Sequence, residues 1–153
     1  MRPGVRLGVD VGKARVGIAV CDRDGVIATP VATIARPDAD ERTFRILVEE
    51  HGAMEVVVGL PLSLNGGDTA STTDAREFAL AVAGWIDVPV RLVDERLSTV
   101  SAQRALHATG RGTKRSRPVI DQVAAVIILQ NALDTERSAG RPPGSVVEPD
   151  REG

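Results

Sequence analysis

A chain of 153 residues, 42% hydrophobic and 26% charged, has the length of a single domain and the balance of an ordinary globular protein with a sizeable core. Aromatic residues are only 2% of it (Phe44, Phe78, Trp85 and no Tyr). The core must therefore be aliphatic, and the stacking platforms that grip single-stranded nucleic acid are missing. A formal charge of −2 and a pI of about 5.7 exclude a global basic field.

One local exception stands out: Arg104, His107, Arg111, Lys114, Arg115 and Arg117 form a basic segment with no acid among them. That pattern suits phosphate binding and suits a solvated loop equally well. The single cysteine, Cys21, excludes an internal disulfide and a multi-cysteine zinc site. No signal peptide precedes Arg6, and no apolar run reaches the roughly 18 residues of a membrane span. A reducing cytoplasm and no membrane are the expectation.

In chain order, "VRLGVDVG" reads as a strand, "KAR" as a turn, "VGIAVCD" as a second strand, "RDG" as a hairpin turn and "VIATPVATI" as a third strand. Pro30 makes the third strand an edge strand or a bulged one. "PDADERTFRILVEEHG" reads as a helix capped by Asp38, with Glu41 three residues on, an apolar face of Phe44, Leu47 and Val48, and Gly52 at its end. "MEVVVGLP" is a continuously apolar strand of the kind buried on both faces of a parallel sheet.

"LSLNGGD" is a loop, followed by a helix from about Ser71 to Ile86 with Ser71 and Asp74 in capping-box spacing. "VPVRLVDER" is a fifth strand, "STVSAQRALHATG" a helix opened by Ser98, and "RGTKRSR" a loop. The last helix starts near Pro118. The pattern predicts an α/β domain over 1–136, its later strands joined by right-handed crossovers with helices on the sheet faces. An unstructured tail is expected over 137–153 from its Pro, Gly and charge content.

Three acids then require an explanation. Strand alternation places Leu7, Val9 and Val11 on one face and Gly8, Asp10 and Gly12 on the other, so Asp10 lies in a buried strand with open space at either side. It could cap a turn or pair with Lys13 or Arg15. Glu95 closes the fifth strand just before a helix, where open α/β sheets gather ligands. Its neighbour Asp94 should point the opposite way. Pairing with Arg91 or Arg96 would also account for either acid.

Asp121 shares a helix face with Ala124, Ala125 and Ile128, an apolar surface of small residues. Three acids from separate elements would repel one another if ionised and close, and a divalent cation removes that repulsion. Carboxylates are the hard oxygen ligands that suit Mg²⁺ or Mn²⁺. A pair of such ions supports in-line phosphoryl transfer.

"DVGKARVGIAV", "VVVGLPL", "VDERLST" and "IDQVAAVIIL", in that order and spacing, resemble the bacterial YqgF/RuvX proteins, described as pre-16S rRNA nucleases or Holliday junction resolvases of ribonuclease H-like fold. The resemblance spans roughly Arg6 to Leu133. It implies a five-stranded mixed sheet in the order 3-2-1-4-5, with strand 2 antiparallel to its neighbours.

It also implies a site in which Asp10, Glu95 and Asp121 are at once the catalytic acids and the ligands of Mg²⁺ or Mn²⁺, two ions in all. One ion would activate water and the other would hold the leaving oxygen on the 3′ side. Lys13, Arg15, Arg111, Lys114 and Arg115 are the expected nucleic-acid contacts, with "SLNGGDTAST" and "GRGTKRSR" as substrate-contacting segments. The expected partner is pre-rRNA or branched DNA, and the expected state is a monomer or a homodimer.

Two other classes are weighed beside this one. An actin-like ATPase shares the Asp-x-Gly strand and hairpin but needs two such domains around its nucleotide. A non-catalytic nucleic-acid-binding maturation factor would retain binding without cleavage.

Overall fold

A computed structural model describes residues 1–63, 65–95 and 117–148, without the side chains of 117–121. The first three strands form a meander: β1 (Val5–Val11), β2 (Arg15–Cys21) and β3 (Ala28–Ala35), with β2 antiparallel to both neighbours. Helix α1 (Glu41–His51) leads to β4 (Ala53–Leu60), and α2 (Ala70–Trp85) leads to β5 (Val90–Asp94). Strands β4 and β5 both run parallel to β1, as strand–helix–strand crossovers require. Helix α3 (Arg117–Ala139) crosses back over the meander. The helix expected from Ser98 lies outside the described residues.

The sheet runs β3-β2-β1-β4-β5, as expected, and then gains a sixth strand. This is β6 (Ser145–Val146), antiparallel to β5 through Leu92–Ser145 and Arg91–Val146. The expected unstructured tail is thus ordered through residue 148. Val147 explains why, because its side chain is buried and its N–H donates to Val90 O at 2.8 Å.

Pro30 behaves as its chemistry demands. β3 is the sheet edge, and the ladder shifts register between Ile18 and Ala19, whose partners are Ala32 and Pro30. Two helix starts differ from expectation. Residues Arg36–Asp38 form a single 3-10 turn, and Asp40, not Asp38, caps α1 by accepting from Thr43 N–H. In α2 the capping box is Thr69 with Thr72, so Ser71 is inside the helix and Asp74 is left for an ion pair.

Each face of the sheet has its own core. On one side Leu7, Val9, Val56 and Val58 meet α1 and α2, where Phe44, Phe78 and Trp85 pack with ring centroids 5.6–6.1 Å apart. The three aromatics of the chain thereby pin α1 to α2. On the other side Ala19, Cys21 and Val57 meet Ala125, Ile128, Leu129 and Leu133 of α3.

On that second face, the amino ends of β1 and β4 hold a buried ionic cluster. Arg2 bonds Glu136 at 2.8 Å and Glu55 at 3.1 Å, Arg6 bonds Glu136 at 3.2 Å, and Arg91 bonds Glu55 at 2.6 Å. Arg6, Glu55 and Glu136 are almost wholly buried. The cluster ties the amino terminus, β4, β5 and the end of α3 into one unit. It also leaves the carboxyl ends of the same strands as the place where further acids stand.

Candidate active site

Asp10 lies on the α3 side of the sheet. A Cβ added at Gly8 would sit 2.7 Å from Leu129 Cβ and 3.0 Å from Ala125 O, so Gly8 faces α3 at close range. Period-two alternation sends Asp10 to the same side, while Leu7 and Val9 enter the opposite core. Asp10 is only 3% exposed. The expected alternation holds for Leu7, Val9 and Val11 on one face and Gly8 on the other, while Gly12 lies beyond the strand against Arg15.

Glu95 reaches the same side from the end of β5. A Cβ at Gly59 would fall 2.9 Å from Glu95 Oε2 and 2.5 Å from Ile128 Cδ1, which places the Glu95 carboxyl over Gly59 and beneath α3. Val9 pairs with Val58, so the next residues, Asp10 and Gly59, are neighbours on adjacent strands. The glycine is what lets the two acids share this corner, since any larger residue would fill it. Sequence reasoning missed Gly59. The available signal was a glycine directly after a β-branched run in a strand paired with one that carries an acid.

Glu95 is also 3% exposed, and burial, with the Asp94 charge adding to it, pushes its carboxyl up to about 7. Asp94 and Glu95 line a cleft of about 150 Å³ with Val93, Ile128 and Asn131, so Asp94 is not turned wholly away from this region.

The shift has a sign for stability. An acid whose folded value is raised keeps its proton between the ordinary 4.5 and about 7, where the unfolded chain has lost it. Its contribution therefore falls as pH rises through that window, by roughly 3 kcal/mol. Glu95→Gln removes the slope. Urea unfolding of the metal-free protein is expected to show the variant gaining on wild type between pH 5 and pH 8, and parallel profiles would count against a protonated Glu95.

Gly59→Ala is the complementary prediction. The new methyl group must displace Ile128 or the Glu95 carboxyl, at a cost of about 1–3 kcal/mol in stability. If Glu95 takes part in a reaction, displacing its carboxyl by an ångström is expected to lower turnover by about 100-fold. An unchanged turnover would show that Glu95 is not positioned by this contact.

Lys13 and Arg15 stand at the turn after β1, close in sequence to Asp10, with Lys13 exposed and Arg15 half-buried. Asp121 is in α3, and its side chain lies outside the described residues, as do Arg111, Lys114 and Arg115 in their entirety. Among the described residues no three His, Cys, Asp or Glu side chains converge to hold an ion. What the described residues supply is a pair of buried carboxylates with no side chain on the glycine between them. Hard oxygen donors of this kind fit a divalent ion such as Mg²⁺ or Mn²⁺ and do not make a zinc or copper site.

Comparison with known proteins places this geometry in a family. Residues 4–135 match the family described as "RuvX: Holliday junction resolvase". A protein of Clavibacter michiganensis subsp. michiganensis, named as a candidate pre-16S rRNA nuclease, is 58% identical over 159 residues, covering 99% of each chain. A protein of the same name from Streptomyces coelicolor is 55% identical over 151 residues, covering 97% of this chain and 90% of its own. Among solved structures, T. thermophilus RuvC in complex with Holliday junction substrate superposes with a TM-score of 0.56 at 18% identity, over 93% of this chain and 99% of that one. This structural likeness establishes a RuvC-like, ribonuclease H-like fold. With a family match over residues 4–135 and relatives above half identity, the chain belongs to the RuvX family.

Proposed function

We propose that this protein is a divalent-metal-dependent endonuclease that hydrolyses phosphodiester bonds at the 5′ end of pre-16S rRNA, in the cytoplasm. The observation that carries the reading is the pair of buried carboxylates, Asp10 and Glu95, brought to one corner of the sheet beneath α3. Asp10 and Glu95 lie toward the carboxyl ends of β1 and β5, where a ligand can approach an open α/β sheet.

In this reading Asp10, Glu95 and Asp121 hold the metal. When bound, the metal supplies positive charge for the attacking and leaving oxygens of an in-line displacement. The chain's own work is to fix that geometry. Gly8 and Gly59 let α3 close over the sheet, and the aliphatic wall of Ile128 keeps bulk water away from Glu95. Hydrolysis adds water across one P–O bond and releases the 3′ oxygen as a hydroxyl, leaving a 5′-phosphate. Lys13 and Arg15 at the β1–β2 turn, with Arg111, Lys114 and Arg115, contact flanking phosphates.

A second reading, resolution of four-way DNA junctions, is favoured by the RuvX family description and by the RuvC likeness. Cutting two strands symmetrically calls for a two-fold dimer, whereas single-strand RNA processing is open to a monomer. One experiment separates the two. End-labelled RNA spanning the leader and 5′ end of 16S rRNA, and a labelled four-way junction, are each incubated with Mg²⁺, Mn²⁺ or EDTA. Metal-dependent cuts in the RNA alone support the proposal, and cuts in the junction alone favour the second reading. Cleavage of neither, with binding retained, would make the protein a binding factor.

A further inference from the structure

The turn between β1 and β2 carries Lys13 between two carbonyls, and one residue holds both. The Arg36 backbone N–H donates to Ala14 O at 2.9 Å, and its Nη1 donates to Gly12 O at 2.8 Å. The same guanidinium forks onto Asp74 of α2, Nη1 to Oδ2 at 2.9 Å and Nη2 to Oδ1 at 2.8 Å. It also lies over the Phe78 ring, 5.0 Å from the centroid.

The turn itself is tight. Gly12 N–H donates to Arg15 O at 2.9 Å, and a Cβ at Gly12 would be 2.6 Å from that oxygen. Arg36 thus joins the end of the Asp10 strand to α2. The Asp74 carboxyl is held below its usual range by the Arg36 hydrogen bonds, and the Lys13 charge contributes as well. Lys13 is exposed in the turn that Arg36 holds.

Stability alone is a weak reason for this arrangement. Arg36 and Asp74 are 27% and 34% exposed, and ion pairs so placed are screened by solvent. The planar fork grips Asp74 bidentately while also reaching Gly12 O, a fixed geometry that the point-like ammonium of a lysine does not reproduce.

We propose that Arg36 is a positioning residue: by clamping the Gly12–Ala14 turn to Asp74 it holds the Lys13 ammonium where it meets a backbone phosphate of the bound strand. The inference rests on the nucleic-acid reading above and adds to it a specific lever on substrate affinity.

The test is a double-mutant cycle in binding. Short single-stranded pre-16S RNA is titrated by fluorescence anisotropy in EDTA, where no cleavage occurs, at several salt concentrations. Lys13→Ala is expected to weaken binding about fivefold and to lower the salt slope by about one phosphate contact. Arg36→Gln is expected to do the same although it touches no phosphate, and to add nothing in the Lys13→Ala background. Arg36→Lys should fall between Arg36→Gln and wild type. Asp74→Asn, which spares the bond to Gly12 O, is the second variant should Arg36→Gln fold poorly, and its loss should also vanish without Lys13.

Additive losses, or a fall in melting temperature with affinity unchanged, would overturn the clamp. So would a silent Lys13→Ala in a protein that binds RNA. Wild type failing to bind RNA at all would instead remove the nucleic-acid reading on which the clamp depends.

Discussion

Asp10→Asn is expected to lower the cleavage rate at saturating RNA by about 10³-fold or more, the scale of losing one preorganised electrostatic group from a buried site. The substitution keeps the shape of the side chain and removes its charge. Asp10 sits mid-sheet, paired with Gly17 across β2 and next to β4, so its backbone is held on both sides. The variant should therefore keep wild-type circular dichroism and melting behaviour, and RNA binding in EDTA should survive. Multiple-turnover cleavage of the 16S leader RNA reads the first quantity and thermal unfolding the second. Retained turnover with an intact fold would remove Asp10 from the chemistry.

The largest effect on stability is expected far from that site, at Glu136. Its carboxyl accepts from Arg2 Nη2 at 2.8 Å and from buried Arg6 at 3.2 Å, and the Arg2 hydrogen bonds hold it down to about 2. Glu136→Gln leaves Arg6, which is 1% exposed, with a buried charge and no ion-pair partner among the described residues. Breaking a buried pair from one side costs about 3–5 kcal/mol.

The pH dependence has the sign of a depressed acid. The contribution is fully present above the ordinary value of 4.5 and is lost as pH falls toward about 2, roughly 3 kcal/mol in all. Urea unfolding at neutral pH should show the deficit of Glu136→Gln, shrinking as both proteins are taken toward pH 2. A deficit under 1 kcal/mol at neutral pH would mean the cluster is solvated and contributes little.

The contrast between these two acids explains which parts of the molecule the sequence could reveal. Period-two alternation identified the face of Asp10 correctly because Leu7 and Val9 had to be buried and their neighbours were glycines. Pro30 announced an edge strand because it has no N–H to give a ladder, and β3 is both edge and bulged.

The ionic cluster was invisible for the opposite reason. Glu55 interrupts a run that reads as uniformly apolar, and its partners Arg2 and Arg91 are 53 and 36 residues away. No local pattern encodes such a meeting. Helix starts missed by two residues where several capping residues compete, Asp38 with Asp40 and Ser71 with Thr69. Strand β6 was missed because two residues carry no periodicity, and only the burial of Val147 on the edge of β5 reveals it. Gly59 was legible only in part: its flexibility is evident from sequence, but its role as the floor beneath Glu95 required the register of β4 against β1 and β5.

Manganese binding to metal-free protein tests most directly whether Asp10 and Glu95 form one centre. Electron paramagnetic resonance of free Mn²⁺ should show wild type depleting the free-ion signal at pH 8, and doing so more weakly as pH falls below about 7, where Glu95 takes up a proton. Asp10→Asn and Glu95→Gln should each abolish the depletion with the fold intact. Equal Mn²⁺ uptake by wild type and both variants would contradict the account, since the ion would then be held elsewhere and the two buried acids would need another explanation.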